Sequence, residues 1–302
     1  MTGYYFHNTD IESTRAHMSQ ILNTMVNMET HVVVDLVLPK YHSEAGLDVI
    51  KRKHDLEKMP QIIFLKNFGI RNQGTMASIM FNLPAIFFLL TKKIKKEVKF
   101  IYIRSSLFLP LAVAAALLRV PLFYEIHRKP LSSKEQFRDN LVSKMATGII
   151  VISDHLRVNY LPYKKNILVA HDGVSLQRFG HTLDKQEARK QFGLAPDKNL
   201  SVYAGTVSKL KGIDYLIEAA RLLPEVDFLL AGPFSVEFQN KGFSPNIKFL
   251  GKKEQKDIAV LLQAADVLLL PHPKGEYSQS PMKLFEYMAS GTPIVASRLP
   301  SI

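Results

Sequence analysis

The chain has 302 residues, 47% of them hydrophobic and 22% charged, enough for about two domains with real cores. It has no cysteine, which excludes a disulfide framework, a thiolate metal site and a cysteine nucleophile, and suits a cytoplasmic setting. Lysine and arginine number 39 against 27 acids, a formal charge of +12, so an anionic partner is favoured: a phosphorylated ligand, a membrane surface or nucleic acid.

The opening residues, Met1-Thr-Gly-Tyr-Tyr-Phe-His7, lack the basic start and apolar run of a signal peptide. A helical stretch over Ser13–Asn27 leads to β-type runs at Val32–Leu38 and Ile62–Leu65. Thr75–Lys93 reads as a helix, and its apolar segment Met80–Leu90 is followed by Lys92, Lys93, Lys95, Lys96 and Lys99. An apolar helix closed by lysines suits an anionic membrane surface. The same lysines also suit the dipole of a buried helix with a solvated last turn. Met80–Leu90 and Leu107–Val120 are both too short to read as membrane spans.

Further strands are expected at Phe100–Ile103, Leu122–Glu125, Gly148–Ile152 and Ile167–Ala170. A second set follows at Leu200–Ala204, Asp227–Ala231, Ile247–Leu250, Val267–Leu270 and Pro293–Ala296. Helices are expected between them, among them Lys185–Phe192, Asp214–Leu223 and Glu254–Ala264. This alternation predicts an α/β chain whose parallel sheets carry helices on both faces and bind ligands beyond the C-terminal ends of strands. The Asp172-Gly173 turn signal and the loop Gly193–Asn199 separate the two sets. The expected boundary is near residue 180, giving domains 1–180 and 181–302.

Three motifs could carry chemistry. Pro121-Leu-Phe-Tyr-Glu125-Ile-His127 is a buried strand ending in Glu-x-His, which puts His127 at a strand's C-terminal edge; a plain loop histidine is the bland alternative. Val202-Tyr-Ala-Gly205-Thr206-Val-Ser-Lys209-Leu-Lys211-Gly212 runs from a strand into a small-residue loop. There Gly205 permits close backbone approach, and Lys209 and Lys211 supply cations. It is not a P-loop, because Gly212 follows Lys211 and Ile213 stands where Ser or Thr is needed. Finally, Ser278-Gln-Ser-Pro-Met282-Lys283-Leu-Phe-Glu286-Tyr-Met-Ala-Ser-Gly291-Thr-Pro-Ile-Val-Ala296 reads as loop, helix, glycine stop and buried strand. Ser280 suits the N-cap and Pro281 the first helical position. Lys283, Glu286, Tyr287 and Ser290 share one face, and Met282, Phe285 and Ala289 an apolar one. A helix N-terminus fed by such a loop is an anion site, and a carboxylate one turn further in can accept hydroxyls beside that anion. A nucleotide-sugar presents both groups.

The last motif resembles the signature helix of the family 4 retaining glycosyltransferases, and motifs in that family's order run from Phe100 to Ile302. The resemblance implies the GT-B fold, two Rossmann-like domains facing across a cleft. It also implies a hexosyl-type, metal-independent transfer from a nucleotide-sugar to a glycan or lipid-linked acceptor. By it, Lys211 would neutralise the donor diphosphate, Glu286 would bind ribose hydroxyls and His127 would lie against the transferred sugar. Gly205, Thr206, Lys209, Ser278, Met282 and Lys283 would complete the donor site, with no cofactor and no metal.

Two departures stand out. Thr206 occupies the place of the family's arginine, and Ser278 that of the first of two glutamates eight positions apart. Relatives continue past the position of Ile302, so a second domain incomplete at its C-terminus is expected. Alternatives are a GT-B epimerase and a transfer-incompetent nucleotide-sugar-binding module. A nucleic-acid partner is not expected, since the lysines cluster beside aliphatic rather than aromatic residues. Location would be cytoplasmic, peripheral on the inner membrane face.

Overall fold

The computed structural model describes residues 1–8, 16–26, 33–40, 51, 56, 59–66, 75–163, 166–180, 182–238, 243–274, 282–299 and 302. The chain divides into two compact units, Met1–His171 and Asp172–Ile302. The break thus falls at the Asp172-Gly173 turn signal rather than at residue 180.

The first unit is built on seven strands: β1 (Thr2–Phe6), β2 (Val34–Lys40), β3 (Ile62–Lys66), β4 (Val98–Ile103), β5 (Leu122–Ile126), β6 (Gly148–Val151) and β7 (Asn166–Val169). All pairings are parallel, in the order β3-β2-β1-β4-β5-β6-β7. Alternate side chains feed two cores, one on each face of the sheet. Tyr4, Phe6, Val37, Ile101 and Ile103 enter one core, while Tyr5, Leu36, Leu38 and Tyr102 pack in the other. The sequence pattern does not announce β1, which has only three aromatic residues in a row at the very start of the chain. It is nevertheless an interior strand, paired with β2 on one side and β4 on the other. Winding reverses between β1 and β4, the switch point where open α/β sheets hold ligands.

Helices cover the sheet. Thr75–Ile94 buries Phe81, Ala85 and Leu89 completely. Its buried Asn82 donates to the Leu107 carbonyl (2.9 Å) and accepts from the Leu111 amide (3.1 Å), which locks it to the helix Leu109–Leu117. The helix Ser133–Met145 starts at Ser132, whose hydroxyl accepts from the Glu135 amide. Buried Asp139 within it accepts from the Tyr124 and Tyr160 hydroxyls at 2.8 and 3.0 Å, tying strand β5 and the helix Asp154–Tyr160 to it.

The second unit has five parallel strands: β8 (Asn199–Ala204), β9 (Val226–Ala231), β10 (Ile247–Gly251), β11 (Val267–Leu270) and β12 (Ile294–Ala296). Their order is β10-β9-β8-β11-β12, so the switch point lies between β8 and β11. Arg189, from the helix Lys185–Gln191, is buried and donates to the Ala264 carbonyl (3.0 Å) and Asp266 (2.7 Å). Asp266 in turn accepts from the Leu200 amide, pinning the start of β8. Strand β12 departs from expectation. It pairs with β11 at the sheet's edge and leaves Val295 62% exposed, so it is not a buried strand.

Candidate functional site

The site is assembled at the switch point of the second unit. Strand β8 ends at Ala204, and the loop after it is pinned by the loop after β9. The Gly205 amide donates to the Ala231 carbonyl (2.6 Å) and the Val207 amide to the Pro233 carbonyl (2.9 Å). A Cβ on Gly232 would strike the Gly205 carbonyl oxygen, so glycine is required for the two loops to approach. Gly212 takes a left-handed conformation (φ 76°) against the Pro271 carbonyl, where a Cβ would collide. It thereby joins the Lys209–Lys211 turn to the end of β11.

Over this loop lies the helix Met282–Ser290. Its most buried face is the polar one: Tyr287 and Ser290 are fully buried, whereas Met282, Phe285 and Ala289 on the apolar face are only half-buried and Met288 is exposed. The reason is a bond that a periodicity argument does not contain. The Tyr287 hydroxyl accepts from the Ala204 amide at 2.8 Å, so the end of β8 is held by the helix. One turn earlier, the side chain of Lys283 runs across Gly205, and a Cβ at that glycine would strike its Cε and Nζ. Gly205 thus makes room for a lysine as well as for a ligand.

Lys211, Lys283, Glu286 and His272 form one electrostatic group. Burial pushes the Lys211 ammonium below its ordinary pKa. Burial does the same to Lys283, the Lys211 cation adds to the effect, and the Glu286 carboxylate opposes it. Burial raises the Glu286 carboxyl, while Lys283 and Arg178 pull it back. His272, buried just after β11, is pushed down to about 4, by burial first and by Lys211 and Lys283 after it. Among the described residues its Nδ1 has no hydrogen-bond partner. Two crowded lysines with depressed pKa values describe a place where an arriving anion relieves both the repulsion and the lost hydration.

The expected residues therefore part company. Gly205, Lys211, Lys283 and Glu286 come together, with Met282 in the first described turn of the helix. Thr206 and Lys209 are exposed, and the Lys209 amide is taken up by the Glu237 carboxylate at 2.7 Å. The cation that lies on Gly205 is Lys283, not Lys209. Ser278, with Ser280 and Pro281, lies outside the described residues. His272 and Arg178 were not singled out from sequence. His272 carries part of the signal that marks His127, a histidine near a strand's C-terminal end, here two residues past β11 and without the Glu-x-His pattern.

A second polar cluster lies at the C-terminal ends of β4 and β5 in the first unit, one strand along from its switch point. His127 follows β5, and its Nε2 lies 2.5 Å from Glu125 Oε1. Arg104, which follows β4, has its Nε 2.9 Å from His127 Nε2 and 3.4 Å from Glu125 Oε2. Tyr102 donates to the same carboxylate at 2.5 Å. Burial alone would raise the Glu125 carboxyl, but the hydrogen bond to His127 and the Arg104 charge hold it down to about 2. Burial pushes Tyr5 well up, and the neighbouring Arg104 guanidinium opposes that shift. His127 is thus held by a neighbouring carboxylate and guanidinium. Sequence singles out neither Arg104 nor Tyr102, because their strand is twenty-odd residues from β5 along the chain.

Two doubly wound, parallel-sheet units of this kind are the Rossmann-like domains of the GT-B fold. Residues 184–302, within the second unit, match the family model described as Glycosyl transferases group 1. The chain is 28% identical over 197 residues to the putative teichuronic acid biosynthesis glycosyltransferase TuaH of Bacillus subtilis (strain 168), covering 61% of this chain and 47% of that protein. It is 33% identical over 141 residues to the D-inositol 3-phosphate glycosyltransferase of Mycobacterium leprae (strain Br4923), covering 43% and 32%. The chain thus spans less than half the length of these curated relatives. Among solved structures, Anabaena Alr3699/HepE in complex with UDP aligns with a TM-score of 0.69 at 19% identity, covering 100% of this chain and 82% of that one. At that identity the likeness concerns the fold.

Proposed function

We propose that the protein is a retaining glycosyltransferase that moves a hexosyl group from a nucleoside-diphosphate sugar to a glycan or lipid-linked acceptor. The observation that carries this reading is Lys283 laid across Gly205, with Lys211 beside it and Glu286 one turn on, all at the switch point of the second unit. The spacing suits a diphosphate on the lysines and a ribose on the carboxylate. The HepE structure, whose ligand is UDP, supports uracil as the first base to test. The two curated relatives, both named glycosyltransferases, support transfer over simple binding.

In this mechanism the departing diphosphate gains charge as the glycosidic bond breaks. Lys211, Lys283 and the first amides of the helix Met282–Ser290 stabilise it, so metal is not required. Glu286 accepts from the ribose hydroxyls. His127, oriented by Glu125 and Arg104, steadies the sugar as positive character develops at its anomeric carbon.

Transfer assays with UDP-sugars, paired with calorimetric titration of UDP, test the proposal. Lys211→Ala and Glu286→Ala should each reduce transfer by roughly 10²–10³, the usual cost of losing one group that stabilises the transition state. Near-normal transfer by both variants would refute the site. UDP binding without turnover identifies a binding module, and sugar inversion without acceptor an epimerase.

A further inference from the structure

The helix Thr75–Ile94 is apolar on both sides, yet only one side is covered. Met76, Ile79, Leu83, Phe87, Leu90 and Ile94 fall at steps of three and four and are all exposed, Phe87 at 73% and Ile94 at 79%. Twenty helical residues make a stripe about 30 Å long. The opposite face is committed to the first unit's core through Phe81, Ala85 and Leu89 and through the hydrogen bonds of Asn82. A helix fixed in this way lies on a surface rather than crossing it.

Charge closes one end of the stripe. Lys93, Lys95, Lys96 and Lys99 are exposed and make no ion pair among the described residues, whereas Lys92 is held by Glu97 at 2.6 Å. The helix ends in a turn where the Glu97 amide donates to the Lys92 carbonyl (2.9 Å) and the Lys96 amide to the Lys93 carbonyl (3.0 Å). The neighbouring helix Leu109–Leu117 ends the same way, with Val120 on Ala115 and Arg119 on Ala116. The left-handed position in each turn holds a cation, Lys96 (φ 58°) and Arg119 (φ 53°), where glycine carries no steric penalty. Both turns lead into adjacent parallel strands, β4 and β5, so both cations finish at the same end of the sheet, where these strands begin. Leu117, 80% exposed, stands beside the second of them.

We infer that this face docks on an anionic lipid bilayer, with the apolar stripe at the acyl boundary and the lysines among the headgroups. A protein partner is the poorer fit. Protein interfaces are depleted in lysine, while an aliphatic stripe with lysines at its end matches the layering of a bilayer surface. The inference does not depend on the donor site.

The sequence has no tryptophan, so Phe87→Trp creates a single reporter. In the full chain, its emission should shift to the blue with vesicles of phosphatidylcholine and phosphatidylglycerol, and much less with phosphatidylcholine alone or at high salt. Leu222→Trp, on the exposed side of the helix Ile213–Leu222, should not respond. Adding Lys93→Glu, Lys95→Glu and Lys96→Glu to Phe87→Trp should weaken partitioning by at least about fivefold per charge. Emission unchanged by anionic vesicles overturns the inference. So does equal partitioning into neutral vesicles. So does a lipid-free Phe87→Trp protein of doubled mass whose emission is already blue-shifted, which would mean that a second copy covers the stripe.

Discussion

Replacing Tyr287 with phenylalanine removes one oxygen atom from the join between the helix Met282–Ser290 and the end of β8. That hydroxyl accepts from the Ala204 amide at 2.8 Å; Tyr287 is fully buried and Ala204 is 3% exposed. The variant leaves a buried amide with no acceptor. Orphaning such a donor costs about 1–3 kcal/mol. For a unit of this size that corresponds to a fall in Tm of roughly 3–12 °C. Tyr203→Phe is the control. Its hydroxyl donates to the Thr206 carbonyl at 3.0 Å, but Thr206 is exposed, so water can replace the lost partner and the cost stays below about 1 kcal/mol. Thermal unfolding by circular dichroism gives the Tm, and amide exchange at Ala204 locates the damage. If Tyr287→Phe left both Tm and Ala204 protection at their parental values, the helix would not be held as argued here. The placement of Lys283 over Gly205 would then lose its support.

Two further predictions concern protons. His272 has a folded pKa of about 4 against an ordinary 6.5, so between those values the unfolded chain binds more protons. Stability should rise with pH across that window and be lost as pH falls through it. His272→Gln should flatten this limb in urea melts, and a limb of unchanged slope would show that His272 titrates normally. Glu125 is the opposite case: held at about 2 against 4.5, it contributes stability above pH 4.5 that is lost between there and pH 2. Glu125→Gln leaves Arg104, whose side chain is 13% exposed, without its counter-charge and should cost about 3–5 kcal/mol at neutral pH by denaturant titration. A loss under about 1 kcal/mol would mean that the pair is solvated.

Much of the architecture was legible in advance because parallel strands buried on both faces must be written in apolar residues. Val267–Leu270 and Leu200–Ala204 are such runs, and the structure places both as strands. Strand β1 escaped because five residues at a chain start offer no flanking period. The domain break and the exposed β12 escaped for a related reason: both depend on what packs alongside, and a linear pattern does not state it.

At the candidate site, local sequence determined the glycines, Lys211 and Glu286, since a loop that admits a ligand and a helix that faces it need those residue types within a few positions. Tertiary structure decided which cation lies on Gly205, that His272 and Arg178 belong to the group, and that Arg104 and Tyr102 brace His127. Those pairings join positions tens of residues apart, and only the strand order brings them within reach. The same holds for Thr75–Ile94. Its composition says apolar helix, but which half of it the core claims, and which half is left with lysines for company, is settled only by packing.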